Sequence, residues 1–148
     1  MPMLFVSMFG FLLAMWSAWQ VPVFEARKIE IAADVQANNF LSYQSALKKY
    51  HTANPTANGT IADGSLTFQP GYIRDPNWTN LISGGQLYVY APAGSMLPAA
   101  EHAVFSRSGS SPMVGKKSGT VFVSAALGTT TMVLPGAIPN GAFIEIGN

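Results

Sequence analysis

An uninterrupted apolar segment near the N-terminus most limits what this chain can fold into. Met3 to Val21 holds no charged residue and reads LFVSMFGFLLAMWSAW at its centre. As a helix rising about 1.5 Å per residue, it would span nearly the ~30 Å hydrocarbon layer of a membrane. Trp16 and Trp19 lie at its C-terminal end, where aromatic rings favour the headgroup region. The segment predicts a membrane anchor formed by residues 1–22.

A cleaved secretory signal is the alternative interpretation of this segment. Against it, no Lys or Arg precedes the apolar run, and Ser17-Ala18-Trp19 is a poor cleavage site. Arg27 and Lys28 would favour a cytoplasmic C-terminal side by the positive-inside rule, whereas the Ser/Thr/Gly/Asn-rich remainder resembles an exported surface. We expect a single-pass protein of the bacterial inner membrane with its C-terminal domain in the periplasm.

Composition and motifs argue against several classes of function. Eight Lys and Arg against seven Asp and Glu leave no basic patch for a nucleic acid. Zero cysteines exclude disulfides and Cys-ligated metals. His51 and His102 lie in no metal-ligand spacing, and the serines form no GxSxG, SxxK or Ser/His/Asp pattern. We expect no enzymatic activity, no cofactor, no metal and no small-molecule substrate.

A second helical segment is predicted at residues 23–54. Val23 to His51 contains no Gly or Pro and is rich in helix-favouring residues, and Asn54-Pro55 ends the pattern. Apolar residues toward its C-terminal end recur at spacings of three and four, so they share one stripe that must pack on something. The stripe consists of Phe40, Tyr43, Leu47 and Tyr50.

Residues 55–148 have the pattern of a small β-rich domain. Short apolar runs alternate there with Gly, Pro, Asn and Ser, which predicts an antiparallel sheet. Pro98 to Ser108 predicts a short helix, Ser83 to Gln86 a turn, and Lys116 to Gly119 a hairpin turn. The predicted fold is α+β, with a long N-terminal transmembrane and amphipathic helix whose stripe packs on the sheet. The predicted strands are Ser65–Phe68, Gln86–Ala91, Gly119–Ala125, Thr130–Leu134 and Ala142–Ile146.

Two features are candidates for protein contacts. Gly10, Ala14 and Ala18 are small residues at four-residue spacing, which lets two membrane helices approach closely; chance is the alternative, since Gly and Ala are common in such helices. Trp78 follows Pro76 and Asn77 in a predicted loop, so it is either a plug over the core or an exposed surface contact. The plug is the slightly favoured interpretation.

The order of an apolar helix, an amphipathic helix and a Gly/Pro-rich β domain resembles type IV pilins and pilin-like proteins. Within that group the chain looks most like the PilM family of conjugative thin-pilus gene sets, through Leu4 to Trp19, Ser110 to Gly115 (SSPMVG) and Leu134 to Ala142 (LPGAIPNGA). The resemblance implies an inner-membrane component of the pilus assembly apparatus. Its partners would be the membrane, other pilus-assembly proteins or pilins, or further copies in a homo-oligomer.

The chain departs from a true prepilin at the processing site. A protein resembling that family would carry a basic leader, a Gly before the cut and a glutamate five residues into the mature helix. Here Gly10-Phe11 is the comparable junction, no Lys or Arg precedes it, and the fifth residue after Gly10 is Met15. An apparatus component is therefore favoured over a minor pilin or pseudopilin cut after Gly10. A small exported binding module for peptide, glycan or cell wall is a more distant alternative.

Overall fold

A computed structural model describes the backbone of residues 2–147 and the side chains of Met15 and residues 24–147. The chain divides into two units, Met1–Ala32 and Ala33–Asn148. Helix α1 has the bounds Pro2–Ala53. Every described side chain of the first unit is exposed.

The predicted membrane anchor lies almost entirely outside the described side chains. Within the described residues, no helix combines the length and the apolar character that crossing a bilayer requires. Of the predicted span, Met3 to Val21, only the side chain of Met15 is described.

The predicted apolar stripe forms part of the core of the second unit. Phe40, Tyr43 and Leu47 are fully buried, and Tyr50 is half-buried at the edge of the same cluster. Phe40 meets Phe143 of the sheet edge to face, with ring centroids 5.7 Å apart. The prediction that the stripe packs on the sheet is confirmed.

The described residues contain six β-strands in one antiparallel sheet of order β1-β2-β6-β3-β4-β5, together with a second helix, α2 (Pro98–Arg107). A two-residue turn, Gly84-Gly85, joins β1 to β2, and both glycines have positive φ, as such tight hairpins require. The strands are β1 (Thr79–Ser83), β2 (Gln86–Ala91), β3 (Val114–Ser118), β4 (Val121–Ser124), β5 (Gly128–Val133) and β6 (Phe143–Gly147).

Several sequence predictions hold and others are wrong. The short helix, the turn at residues 83–86 and four of the five strands are confirmed within one or two residues. The predicted strand Ser65–Phe68 is wrong: a 3₁₀ turn, Asp63–Ser65, precedes an irregular loop there. Phe68 instead stacks on Tyr72, with ring centroids 4.8 Å apart, so its apolar character serves a loop. Lys116 and Lys117 lie in β3, and the hairpin turn is formed by the next residues, Gly119-Thr120.

The opposite face of the sheet carries a second core that a loop covers. Tyr88, Tyr90, Phe122 and Ile144 are buried there together with Ile138 of the loop 134–142. The ammonium of the buried Lys117 donates hydrogen bonds to the carbonyls of Pro135 (2.9 Å) and Ile138 (2.7 Å). One lysine of β3 therefore fastens the loop over this face.

Candidate functional site

The histidines and acidic residues are dispersed in the described part of the chain. No group of three or more His, Asp or Glu side chains able to hold a metal ion occurs among the described residues. His51 is buried, with Nε2 3.2 Å from the carbonyl oxygen of Gly85, and His102 is exposed on α2. The two histidines therefore have different surroundings, one in the core beside the β1–β2 turn and one at the surface.

The sequence predicted two sites of protein contact, a line of small residues in the membrane helix and Trp78. Gly10, Ala14 and Ala18 lie among the residues whose side chains are not described, so their predicted packing role stays a prediction. Trp78 is fully buried, which corresponds to the plug interpretation. As a correction to the alternative, its ring presents no surface for a partner to contact in this structure.

Asn39 of α1 holds Trp78 in place. The indole Nε1–H donates to Asn39 Oδ1 at 2.7 Å, and the indole ring meets Phe40 edge to face at 5.4 Å. The same Oδ1 accepts a hydrogen bond from the Tyr72 hydroxyl at 3.1 Å. Burial raises the pKa of Tyr72 to about 12, so this hydroxyl stays protonated at neutral pH. The cluster ties the loop before β1 to the helix.

Arg74 fastens the same loop from a second direction. Its guanidinium donates to the carbonyl of Trp78 at 2.6 Å and pairs with Asp63 at 2.9 Å. The guanidinium carbon also lies 5.4 Å from the centre of the Tyr43 ring, a cation–π distance. The guanidinium therefore has all its partners within this cluster, and we call the arrangement around Trp78 a structural clamp.

A cleft lies between the C-terminal half of α1, the end of α2 and strand β6. It has a volume of about 520 Å³. Polar and apolar side chains share its lining, among them Leu41, Gln44, Lys48, Arg107, Met113 and Glu145.

Glu145 is the buried acid of this cleft. Its Oε1 lies 3.7 Å from the ammonium of Lys48 and accepts a hydrogen bond from the Ser108 hydroxyl at 3.4 Å. Burial raises the pKa of Glu145, and the Gln44 amide, Lys48 and Ser108 counteract the rise. Glu145 Oε2 and Gln44 Nε2 are both buried in the lining of the cleft.

The cleft was not predicted from the sequence. Its residues come from segments 41–48, 107–113 and 145–147, which no motif connects. One signal was present: Glu145 interrupts the apolar strand Phe143-Ile144-Glu145-Ile146, and a charged residue in a fully buried strand needs a reason. The resemblance segment Ser110 to Gly115 also contributes Ser111 and Met113 to the lining.

The chain is similar to PilM proteins in sequence and in fold. The model of the PilM family matches residues 9–146. A PilM protein from Escherichia coli B7A shares the fold, with a TM-score of 0.61 and 22% identity over 83% of this chain and 94% of its own. A PilM protein from Pseudomonas aeruginosa 2192 is 32% identical over 76% of this chain and 94% of its own, with a TM-score of 0.43. The search of curated protein sequences found no match.

Proposed function

The chain belongs to the PilM family, and we propose that it is a non-enzymatic inner-membrane component of the assembly apparatus of a type IV, conjugative thin pilus. Family membership indicates involvement in pilus biogenesis. The observation that carries the proposal is the extent of the match, residues 9–146, which takes in most of the predicted anchor as well as the folded unit.

The proposed attachment to the membrane rests on the charge-free segment Met3 to Val21. Large apolar side chains recur among the charged residues that follow. Phe24, Ile29 and Ile31 of α1 are each more than half exposed, at 56%, 55% and 65%. Exposed large apolar side chains mark surfaces that meet a partner or the boundary of a membrane. The folded unit would then stand in the periplasm.

The proposed scaffold role rests on how the polar side chains are used. Arg74 and Asn39 clamp the loop before β1, and Lys117 clamps the loop 134–142. Each of these polar groups holds backbone or an aromatic ring. The proposed partners are other pilus-assembly proteins or pilins.

Deletion of the gene tests the role in pilus biogenesis. We expect a host that lacks the chain to show no surface pili by electron microscopy and to regain them when the wild-type gene is supplied in trans. Normal piliation of the deletion strain would overturn the proposal.

Washing membranes with alkaline carbonate tests the anchor separately: the chain should stay in the pellet, and its release into the supernatant would contradict membrane insertion.

Lateral packing of the proposed anchor is tested through its small residues. Gly10, Ala14 and Ala18 would let the helix approach a second copy or another membrane protein. A membrane-dimerisation reporter should respond to the wild-type segment and lose its signal with Gly10→Ile plus Ala14→Ile. An equal response from the wild-type and the substituted segment would contradict this packing hypothesis.

A further inference from the structure

The two edges of the sheet differ in how their backbone is covered. In the described residues, β1 forms one edge and β5 the other. The chain itself covers β1, because Gly59 and Ile82 exchange two hydrogen bonds between their amides and carbonyls, each 2.8 Å long. The buried Asn80 side chain accepts from the Ile61 amide at 2.7 Å and donates to the Ile61 carbonyl at 2.9 Å. A segment of the same chain therefore occupies the outer side of β1.

The edge at β5 has no such cover. Among the described residues, β5 pairs with β4 and no further strand lies beyond it. The side toward β4 is satisfied even where the register shifts, because the Thr130 hydroxyl donates to the carbonyl of Phe122 at 2.7 Å and accepts from the amide of Met132 at 3.2 Å. The outer side of β5 therefore presents backbone N–H and C=O groups that another extended strand can satisfy.

Charged residues and proline, which commonly protect an open sheet edge, are absent from β5. The strand reads GTTTMV, and residues 118–144 as a whole carry no charged side chain. Two large apolar side chains flank this edge in the open, Leu127 at 72% and Val133 at 69% exposed. An uncharged and partly apolar edge is suited to the addition of a strand and offers nothing to a charged ligand.

The side chains of β5 make the strand its own complement. Met132 packs against the second core, whereas Thr129, Thr131 and Val133 are exposed. If two copies of the strand pair, β-branched residues lie opposite β-branched residues, and no like charges meet. A two-fold axis perpendicular to the sheet makes two identical strands antiparallel, so one patch serves both copies.

We infer that two copies of this chain associate through β5, whose strands pair antiparallel and join the two sheets into one. The self-complementary, uncharged strand is the observation that identifies a second copy as the occupant. A pair of six-residue strands makes a small interface, so association should be weak and depend on concentration. The inference goes beyond the proposed function, because it concerns the folded unit and holds with or without a membrane anchor.

Spin labels on the full-length chain in detergent micelles test the inference. The chain contains no cysteine, so Thr131→Cys creates a single labelling site. Directly opposite residues of antiparallel strands have Cα atoms about 5 Å apart, so labels at position 131 of two copies should broaden each other's EPR spectrum. The broadening should increase with protein concentration and disappear on dilution with unlabelled wild-type chain. Thr67→Cys, at an exposed threonine of the loop before β1, is the matched control and should show no broadening.

Two lysine variants separate pairing of the edge from other contacts. In the chain labelled at position 131, Thr129→Lys brings like charges together on the two paired strands, and we expect the broadening to be lost. Thr67→Lys adds the same charge away from β5 and should leave the broadening unchanged. Identical far-UV circular dichroism spectra would show that both variants keep the fold.

Four results would overturn the inference. They are the absence of broadening at position 131 at every concentration, equal broadening at positions 67 and 131, and broadening that persists in Thr129→Lys. The fourth is absent broadening combined with loss of pili in a host that carries Thr129→Lys, which would assign the edge to a strand of another protein. The EPR results do not bear on the deletion strain, so the inference and the proposed function can fail separately.

Discussion

The two faces of the sheet are covered by different means. On one face, α1 and α2 pack against the strands through interlocking apolar side chains such as Phe40. On the other, the loop 134–142 lies over Phe122 and Ile144, and the Lys117 ammonium binds two of its carbonyls. The helix face is stabilised by burial spread over many residues, whereas the loop face also depends on one polar side chain.

The two kinds of cover predict different responses to amino-acid substitution. A helix satisfies its own backbone, so it can cover a sheet face mainly through apolar side chains. A loop leaves carbonyls to be satisfied, and one donor reaching two of them concentrates its attachment at one place. Substitutions on the helix face should therefore lower global stability, while substitutions at Lys117 should also open the loop locally.

Phe40→Ala should have the largest effect on stability, and it tests the apolar packing of the helix-covered face of the sheet. Phe40 is fully buried and meets both Trp78 and Phe143 edge to face. We expect a loss of about 3–5 kcal/mol in the free energy of unfolding, measured by chemical denaturation in detergent. Phe24→Ala, at an exposed position, should change it by less than about 0.5 kcal/mol. Equal effects of the two substitutions would contradict the assigned core.

Lys117→Met tests the face of the sheet that the loop 134–142 covers. The substitution leaves the carbonyls of Pro135 and Ile138 without their donor, and we expect a cost of about 2 kcal/mol. Hydrogen exchange should accelerate first at Gly141 of this loop, whose amide donates a hydrogen bond to the Lys117 carbonyl. The neighbouring Lys116→Met breaks only the partly exposed pair with Glu101 and should cost less than about 1 kcal/mol. Hydrogen exchange that accelerates uniformly over the second unit would contradict a local role for Lys117.

Trp78→Phe probes the polar contact within the helix-covered core. The substitution removes the Nε1 donor to Asn39 Oδ1, but that oxygen keeps its hydrogen bond from Tyr72. We therefore expect a modest loss of about 1 kcal/mol in the free energy of unfolding. A loss as large as that of Phe40→Ala would show that the Asn39 cluster, rather than apolar packing, dominates this face.

The pH dependence of stability isolates Glu145. Because its folded pKa is raised, the folded state binds more protons than the unfolded state between the ordinary value of about 4.3 and the raised one. Its contribution therefore falls as pH rises through that window. Glu145→Gln removes the titration, so the variant should gain stability relative to wild type as pH rises there. A difference between the two proteins that stays constant with pH would contradict the assignment.

Local patterns were enough to predict much of this fold. The stripe of α1 and the Pro98 helix followed from spacing and from the first-turn proline. Strand β1 was missed because the buried Asn80 interrupts its apolar alternation; its side chain bonds the backbone of Ile61 and the hydroxyl of Tyr43. Strand β3 was missed because Lys116-Lys117 has the character of a turn, and only the loop above it explains a buried lysine.

The candidate site could be predicted far less well. Trp78 was recognised as a candidate plug, but its partner Asn39 lies 39 residues away, and no local pattern links them. The cleft depends on Gln44 and Glu145 meeting across a sequence separation that only the packing of α1 on β6 determines. Local periodicity identifies which residues are buried, whereas the pairing of polar groups needs the tertiary structure.

The proposed role of this PilM-family chain is to serve pilus assembly from the membrane without being part of the filament. Intact mass and N-terminal sequence of the protein, recovered in parallel from host membranes and from sheared pili, test it most directly. For the proposed role we expect a chain that begins at Met1 or Pro2 and is found in the membranes. A chain that begins at Phe11 and is recovered with the sheared pili would contradict it and make the protein a processed filament subunit.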